Sequence, residues 1–419
     1  MRSSLRLWVA VVGATALLTA TACSSSGDGG SSAPKDVEVF TWWADGGEKA
    51  GLDGLVSAFG TDCGNFKFVN GAVAGGAGAN AKQVLASRLA QSDPPDTFQA
   101  HAGAELTDYI KAGQIEDLSQ EYKDWGLSNA FPKGLIDNLT VGGKIYSVPA
   151  NIHRANVIWG NKTVLAGAGI TADAKTLDAF FADLEKLKAK GVTPLALGRD
   201  WTQLMLFESV LISDLGAQKF TGLWNGSTKW DDAGVTKSIA DYTKLLSYTN
   251  KDRDTFDWTD AEKLIMDGKA GYQLMGDWEA ADLDAKKFSG YSYSAFPGNG
   301  NTFQWLADSF VLPKGAKNPE GTKCWLKTVG SAAGQKAFNT KKGSIPARTD
   351  ATVADYPAYQ QAAIGDWKSQ AQVPSCAHGS ACSQGFQGAL NSAMGKFSAD
   401  GNATALQAAL VAAAGQFAK

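Results

Sequence analysis

Tryptophan is abundant in this sequence and histidine is scarce, and both facts bear on the chemistry that the chain can support. Among 419 residues there are 13 Trp and 3 His. So few histidines argue against a metal site built from several of them, and we expect neither a bound metal ion nor a cofactor. Trp42 and Trp43 stand together at the end of a predicted strand. Because adjacent strand residues point to opposite faces, the two indoles cannot both fill one face of a core.

The sequence lacks common motifs of catalysis and nucleotide binding. The glycine-rich stretch 75–80 (GGAGAN) has neither the GK[ST] ending of a phosphate-binding loop nor the spacing of a dinucleotide fingerprint, so we interpret it as a helix-entry loop. Neither G-x-S-x-G nor H-E-x-x-H occurs. Glycoside hydrolysis would need two carboxylates on either side of a glycosidic bond. The acids available for it are Glu48, Asp277, Glu279 and Asp308.

The composition is that of an ordinary folded protein with a slight excess of acid. Hydrophobic residues make up 44% of the chain and charged residues 19%, and the formal net charge is −3. Residues 1–22 contain two arginines and no acid, so the remainder holds 37 basic against 42 acidic residues, a net charge of −5. A chain of this charge lacks the basic surface that general nucleic-acid binding needs.

The first 35 residues predict export and anchoring. A short basic segment precedes an almost wholly apolar run, Leu7–Leu18, which is short for a membrane span and typical of a signal peptide. The next residues resemble a lipobox with Ala20 where leucine is usual, so we expect removal of residues 1–22 and lipidation of Cys23. Plain signal cleavage is the alternative. Residues 23–35 would form a flexible Gly/Ser-rich tether that holds the protein at the outer face of the cell membrane.

Four further cysteines favour disulfide bonds, because their number is even and the chain is predicted to be exported. Cys376 and Cys382 lie six positions apart in a Gly/Ser-rich loop, which makes local pairing easy and leaves Cys63 and Cys324 as a long-range bridge. Zinc binding is the competing use of four cysteines. However, no C-x-x-C spacing occurs and the loop has no second histidine.

Strand and helix patterns alternate along the chain, which predicts an α/β architecture with mainly parallel sheets. Strands are predicted at 37–43, 66–70 and 96–100, and helices at 50–59, 79–90, 106–112 and 175–190. Three segments look like strands that cross between two lobes, at 143–150, 305–313 and 343–348. We predict an N-terminal lobe of residues 36–145 plus 302–347 and a C-terminal lobe of residues 146–301 plus 348–419.

Eight ordered segments together resemble the extracellular solute-binding proteins of bacterial carbohydrate ABC transporters, and most of all the glucose-type monosaccharide-binding lipoproteins. They are TWWADGGE (41–48), DPPDTFQAH (93–101), KIYSVPANIHRANVIWGN (144–161), PLALGRDWTQ (194–203), GDWEA (276–280), ADSFVLPKGAKN (307–318), KKGSIPARTD (341–350) and AHGSA (377–381). The resemblance runs from Val37 to about Gln416. It implies a two-lobed, type II periplasmic-binding-protein-like fold, a ligand cleft between lobes joined by crossing strands, and hinge closure on the ligand.

The resemblance also implies which residues contact a sugar. Indole faces would cover its apolar C–H surface, and charged or amide groups would bond its hydroxyls. The implied contacts are Trp42, Trp43, Glu48, Gln99, His101, Trp258, Trp278, Asp308, Lys342 and His378. Each also has a structural interpretation, as a core residue, a helix cap or a surface ion pair, and Lys341 competes with Lys342. We interpret four more residues as structural or cleft-wall residues: His153, Arg154, Trp201 and Gln203.

The leading hypothesis is a monomeric, non-enzymatic receptor that delivers a monosaccharide to the permease of an ABC importer. Glucose is favoured, with galactose, mannose, xylose or a short oligosaccharide as alternatives. A lipid-anchored glycoside hydrolase is the competing enzyme hypothesis. The resemblance places Asp308, and less firmly Glu48, near the sugar, and one carboxylate beside a lysine does not suit hydrolysis. A structural or adhesive surface lipoprotein is the third hypothesis, and the absence of a sequence repeat argues against it.

Overall fold

The computed structural model describes residues 35–75 and 78–417. The predicted signal peptide and Cys23 lie outside the described residues, as does the tether except for Lys35. Strands within this part of the chain are β1 Asp36–Phe40, β2 Lys67–Asn70, β3 Thr97–His101, β4 Thr140–Val141, β5 Lys144–Ile145, β6 Val148–Pro149, β7 His153–Arg154, β8 Val157–Asn161, β9 Thr193–Ala196, β10 Ala270–Met275, β11 Tyr291–Ala295, β12 Thr302–Leu306, β13 Asp308–Val311 and β14 Ala371–Pro374.

The helices pack against these strands and against one another. They are α1 Gly46–Asp62, α2 Ala79–Ala90, α3 Leu106–Lys111, α4 Ser119–Asp124, α5 Lys133–Leu139, α6 Lys162–Gly167, α7 Leu177–Ala189, α8 Trp201–Asn225, α9 Ala233–Leu246, α10 Trp258–Met266, α11 Trp278–Ala285, α12 Pro319–Gly330, α13 Ala332–Lys342, α14 Ala358–Ser369, α15 Gln384–Asp400 and α16 Ala403–Phe417. None of the described helices combines the length and the apolar character needed to cross a bilayer.

Two main sheets organise the fold, and a third sheet links them. The first has the strand order β2-β1-β3-β13-β6, the second β11-β8-β10-β9, and the third β14-β12-β7. Residues 150–152 lead from β6 in the first sheet to β7 in the third, and Ala307 alone separates β12 from β13. Ile345 forms an isolated bridge with Ile152. The three segments predicted to cross between lobes therefore meet in this linking region.

The prediction of mainly parallel sheets is wrong, because both main sheets are mixed. Strand β1 runs parallel to β2 and β3, but β13 runs antiparallel to β3 and β6. In the second sheet β8 runs antiparallel to both β10 and β11. Parallel neighbours need a long crossover connection, usually a helix. Strand β13 instead follows β12 directly, so it enters the first sheet from the linking sheet without such a crossover.

Each main sheet has its own hydrophobic core. Buried apolar residues of one core come from 37–152 and 303–367, and those of the other mostly from 155–296 and 373–413. The predicted amphipathic helix is α7, which begins after the N-cap Thr176 and buries Leu177, Phe180, Phe181, Leu184 and Leu187. Two cores with a linking sheet give the two-lobed α/β architecture. The residue boundaries of the lobes stay a prediction.

Both disulfide bonds expected from the sequence are present in the structure. Cys63 joins Cys324 with the two Cα atoms 6.1 Å apart, and Cys376 joins Cys382 at 5.0 Å. The first bond ties α1 to α12 within one core. The second closes a loop of seven residues that carries His378.

Candidate sugar-binding site

One cavity lies where the two cores face each other, and its volume is about 30 Å³. Its lining is aromatic and charged: Trp42, Trp43, Glu48, His101, His153, Trp258, Trp278, Leu306, Asp308, Lys342 and His378. Nine of the ten predicted ligand contacts are therefore brought together. Gln99 is the exception, because it lies behind Asp308 and not in the lining.

The lining residues sit at the ends of helices and strands. Strand β1 ends at Phe40, earlier than predicted, so Trp42 and Trp43 follow its carboxyl end. His101 ends β3 and pairs in register with Asp308 at the start of β13. The carboxyl ends of parallel strands are the usual place for a ligand in α/β sheets. Among the helix residues, Lys342 ends α13.

Asp308 is the most heavily bonded group in the cavity wall. The side-chain amides of Gln99 and Asn151 each donate to its carboxylate at 2.8 Å. Nε2 of His153 lies 3.4 Å from the same carboxylate. Burial alone would raise the pKa of Asp308, but the hydrogen bond and charge of His153, together with Lys342, hold it well below its usual range. Asp308 is thus an ionised acceptor at any pH near neutrality.

All three histidines of the chain line this cavity, and each is bonded from behind. Nδ1 of His101 lies 2.8 Å from the buried Glu105 carboxylate. Lys82 reaches the same carboxylate at 2.7 Å. Burial would raise the pKa of Glu105, but the charges and hydrogen bonds of Lys82 and His101 lower it to about 2. Glu105 therefore stays ionised and fixes the orientation of the His101 ring.

His153 belongs to the site, although the sequence indicated a structural or cleft-wall role. Its Nδ1 bonds to the carboxylate of Asp277, which also accepts from the backbone N–H of Arg154 at 3.0 Å. Burial opposes protonation of His153, but the attraction of Asp277 and hydrogen bonds to Asp277 and Asp308 outweigh it and raise the pKa. His153 is thus a charged donor between two carboxylates. The sequence feature that could have indicated this role is the scarcity of histidine, because all three histidines line the cavity.

Three indoles give the cavity its apolar walls. Trp42 comes from one core, whereas Trp258 and Trp278, the first residues of α10 and α11, come from the other. The Trp278 ring contacts the rings of His153 and His378, with centroids 5.1 and 5.4 Å apart. Trp43 differs from these three, because it is fully buried.

Lys342 supplies the second positive charge of the cavity. Its Nζ lies 3.0 Å from Glu48 and 5.7 Å from the centroid of the Trp278 ring, and the residue is only 2% exposed. Lys341 is exposed and does not line this cavity. Burial raises the pKa of Glu48 despite the opposing attraction of Lys342.

The remaining residues that were interpreted as structural lie outside the lining. Trp201 packs edge-on against His378 with centroids 5.4 Å apart. Gln203 donates to Asp254 at 2.8 Å, and Arg154 donates to Asp366 at 2.5 Å. Trp201 therefore supports the His378 ring, and the other two hold neighbouring segments in place.

Gly276 allows Trp278 to occupy its position, and we expect Gly276→Ala to weaken ligand binding about tenfold. A Cβ at Gly276 would overlap the Trp278 indole. The ring must move, and overpacking of this kind costs about 1–3 kcal/mol. Gly271→Ala is the matched control, because its Cβ would overlap Leu187 in the core below the same strand. Titration calorimetry should show reduced affinity for the first variant alone. Equal affinities would contradict this role of Gly276.

Comparison with known proteins identifies the family. The family model for bacterial extracellular solute-binding proteins matches residues 43–336. The chain belongs to this family. A probable sugar-binding periplasmic protein of Mesorhizobium japonicum is 34% identical over 80% of this chain and 81% of its own length. The xylose/arabinose-binding protein XacG of Haloferax volcanii is 31% identical over 92% of this chain and 86% of its own length.

The fold is also that of a solved solute receptor. The bacterial solute receptor AcbH, whose substrate preference is β-D-galactopyranose, superposes with a TM-score of 0.80 at 20% identity, covering 91% of this chain and 98% of its own. This confirms the two-lobed periplasmic-binding-protein-like fold. The solute-binding protein described here is a sugar-binding receptor of an ABC transporter. Because the family consists of transport receptors, it is not an enzyme, and the glycoside hydrolase hypothesis is wrong.

Proposed function

We propose that this receptor captures a single monosaccharide, glucose, and delivers it to the membrane permease of an ABC importer. The observation that carries the proposal is the convergence of three indoles, three histidines, Asp308 and Lys342 on one cavity.

The chemistry of the lining supports a pyranose with equatorial hydroxyls. Such a ring has apolar C–H faces and a polar rim. Indoles from both cores suit the faces, and charged donors and acceptors suit the rim. The ten residues implied by the resemblance to glucose-type receptors favour glucose in particular. A pyranose has about 12 heavy atoms, so micromolar affinity, about −8 kcal/mol, asks for roughly −0.7 kcal/mol per atom.

Partners and location complete the proposal. The permease subunits would bind the receptor after its lobes close on the sugar, and the receptor would act as a monomer. Lipidation of Cys23 would anchor it outside the cell membrane, with residues 23–35 as the tether. A single lipid chain binds a membrane only reversibly, so more than one acyl chain would be required for a stable anchor.

Titration calorimetry against a panel of sugars tests the proposal. The protein would be the chain from residue 36, which contains every described strand and helix. The panel would hold glucose, galactose, mannose, xylose and a glucose disaccharide. We expect micromolar or tighter binding of glucose and at least tenfold weaker binding of the others. Preference for xylose or galactose would overturn the choice of glucose, and preference for the disaccharide would overturn the single-ring site. No detectable binding of any sugar in the panel would contradict the monosaccharide proposal itself.

A further inference from the structure

A series of buried hydrogen bonds leads from Glu208 on α8 to the cavity. Glu208 on α8 and Ser375 are fully buried, and His378 lines the cavity. The Ser375 hydroxyl lies 2.7 Å from Oε2 of Glu208 and 3.0 Å from Nδ1 of His378. Nε2 of His378 is buried and has no hydrogen-bond partner among residues 35–75 and 78–417. A ligand in the cavity can therefore meet His378 through Nε2.

The donors around Glu208 decide which group donates in each of these hydrogen bonds. Backbone N–H groups of Cys376 and Ala377 donate to Oε1 of Glu208 at 2.6 and 3.3 Å. The side-chain amide of Gln304 donates to Oε2 at 2.7 Å. Burial raises the pKa of Glu208 to about 7. Above that pH the carboxylate is ionised and can only accept, so the Ser375 hydroxyl donates its one proton to Glu208. Its oxygen must then accept from Nδ1–H of His378.

His378 is a neutral imidazole, because burial and the nearby positive charges, His101 first, lower its pKa well below the usual value. A neutral imidazole protonated on Nδ1 carries a lone pair on Nε2. We propose that Glu208 and Ser375 are positioning residues that hold His378 in its Nδ1–H tautomer, so that Nε2 accepts a hydrogen bond from a ligand hydroxyl. The identity of that ligand as a sugar rests on the proposed function.

The arrangement would select the kind of group that the ligand presents. His153 is backed by Asp277 and carries a proton on both nitrogens, so it donates. His378 is backed by the Ser375 hydroxyl and accepts. A hydroxyl opposite His378 must therefore donate, and a fluorine or an ether oxygen at the same position has no proton to give. This makes Glu208 and Ser375 determinants of specificity without contact with the ligand.

Nitrogen-15 NMR of histidine-labelled protein tests the tautomer without any ligand. The spectra would be recorded at pH 8, because burial raises the pKa of Glu208 to about 7 and the carboxylate predominates above it. His378→Gln identifies the His378 signals among the three histidines. In the unmodified receptor we expect a protonated Nδ1 and an unprotonated Nε2. A protonated Nε2 would overturn the proposal.

Glu208→Gln is expected to reverse the tautomer. The new carboxamide oxygen keeps the two backbone donors, so its NH₂ faces both Ser375 and Gln304. The Gln304 amide then turns over to present its oxygen, which has no partner among the described residues, and the second N–H of the new amide donates to Ser375. The Ser375 hydroxyl then donates to Nδ1, and the proton of His378 moves to Nε2. Glu262→Gln, at another fully buried glutamate, is the matched control and should change nothing at His378. Ser375→Ala should give a mixture of tautomers. An unchanged tautomer in Glu208→Gln would contradict the role of Glu208.

A binding measurement links the tautomer to specificity. Deoxyfluoro analogues of the bound sugar replace one hydroxyl at a time with an acceptor-only group. In the unmodified receptor, the analogue altered at the hydroxyl facing His378 should bind at least tenfold more weakly than the parent sugar. In Glu208→Gln, the ratio of the Kd of this analogue to the Kd of the parent sugar should fall severalfold. An unchanged ratio would contradict the inference. Because the NMR result does not depend on sugar, failure here and failure of the proposed function can be told apart.

Discussion

Asp308→Asn should lower sugar affinity about 100-fold or more, with little change in the shape of the site. The substitution removes a carboxylate that is held between two side-chain amides and His153. A hydrogen bond to a charged group contributes about 1.5–3 kcal/mol, and two sugar hydroxyls bonded to this carboxylate would contribute about 3 kcal/mol or more. At about 1.4 kcal/mol per tenfold change, that is at least 100-fold in Kd. Titration calorimetry with glucose measures the loss.

The variant is also expected to be less stable at neutral pH. The folded-state pKa of Asp308 is depressed, so its ionised form stabilises the fold above the unfolded-state pKa, and this contribution fades as the pH falls. An asparagine also turns an NH₂ group towards Gln99, Asn151 or His153, which are themselves donors. Asp231→Asn, on the exposed surface, is the matched control. If folded Asp308→Asn protein kept its affinity within threefold, Asp308 would not be a ligand contact.

Local patterns in the sequence were enough to predict individual elements of the fold. The predicted helix 79–90 has the same bounds as α2, and the amphipathic helix is confirmed as α7. Strand direction was not predictable in the same way. Whether β13 runs parallel or antiparallel to β3 depends on where the chain comes from, and it comes directly from the linking sheet. Side chains alternate between the two faces of a strand with a period of two residues. This pattern contains no information about the path by which the chain enters the sheet.

The resemblance located the side chains around the cavity but not the groups that hold them. Gln99 was predicted as a contact, yet its amide bonds to Asp308 behind the cavity wall. His153 and Asp277 are 124 positions apart and touch because the pairing of β8 with β10 in the second sheet brings their segments together. Glu208 stands alone in an apolar helix sequence, which was a visible signal. Its partners lie 96 and 167 positions away, so nothing near it in the sequence predicted its role.

Trp278→Ala should weaken sugar binding severely, because this indole is central to the apolar wall. Its ring contacts His153, His378 and Trp201 and lies under Lys342. Loss of a buried aromatic anchor costs about 2–4 kcal/mol of binding free energy, which is roughly 30- to 1,000-fold in Kd. Removing an indole that is only 7% exposed also costs about 3–5 kcal/mol of unfolding free energy. Calorimetry and thermal unfolding of the same sample measure both.

A milder pair of variants separates binding from stability. Trp278→Phe keeps an aromatic face but shortens it, and we expect affinity to fall about tenfold. Trp325→Phe makes the same change at a fully buried indole of the other core, and it should lower the unfolding temperature without altering Kd. Equal losses of affinity in the two variants would mean that weakened packing alone explains the effect. A loss confined to Trp278→Phe would mean that this ring acts on the cavity, by contact with the sugar or through His153 and His378, and not through overall stability.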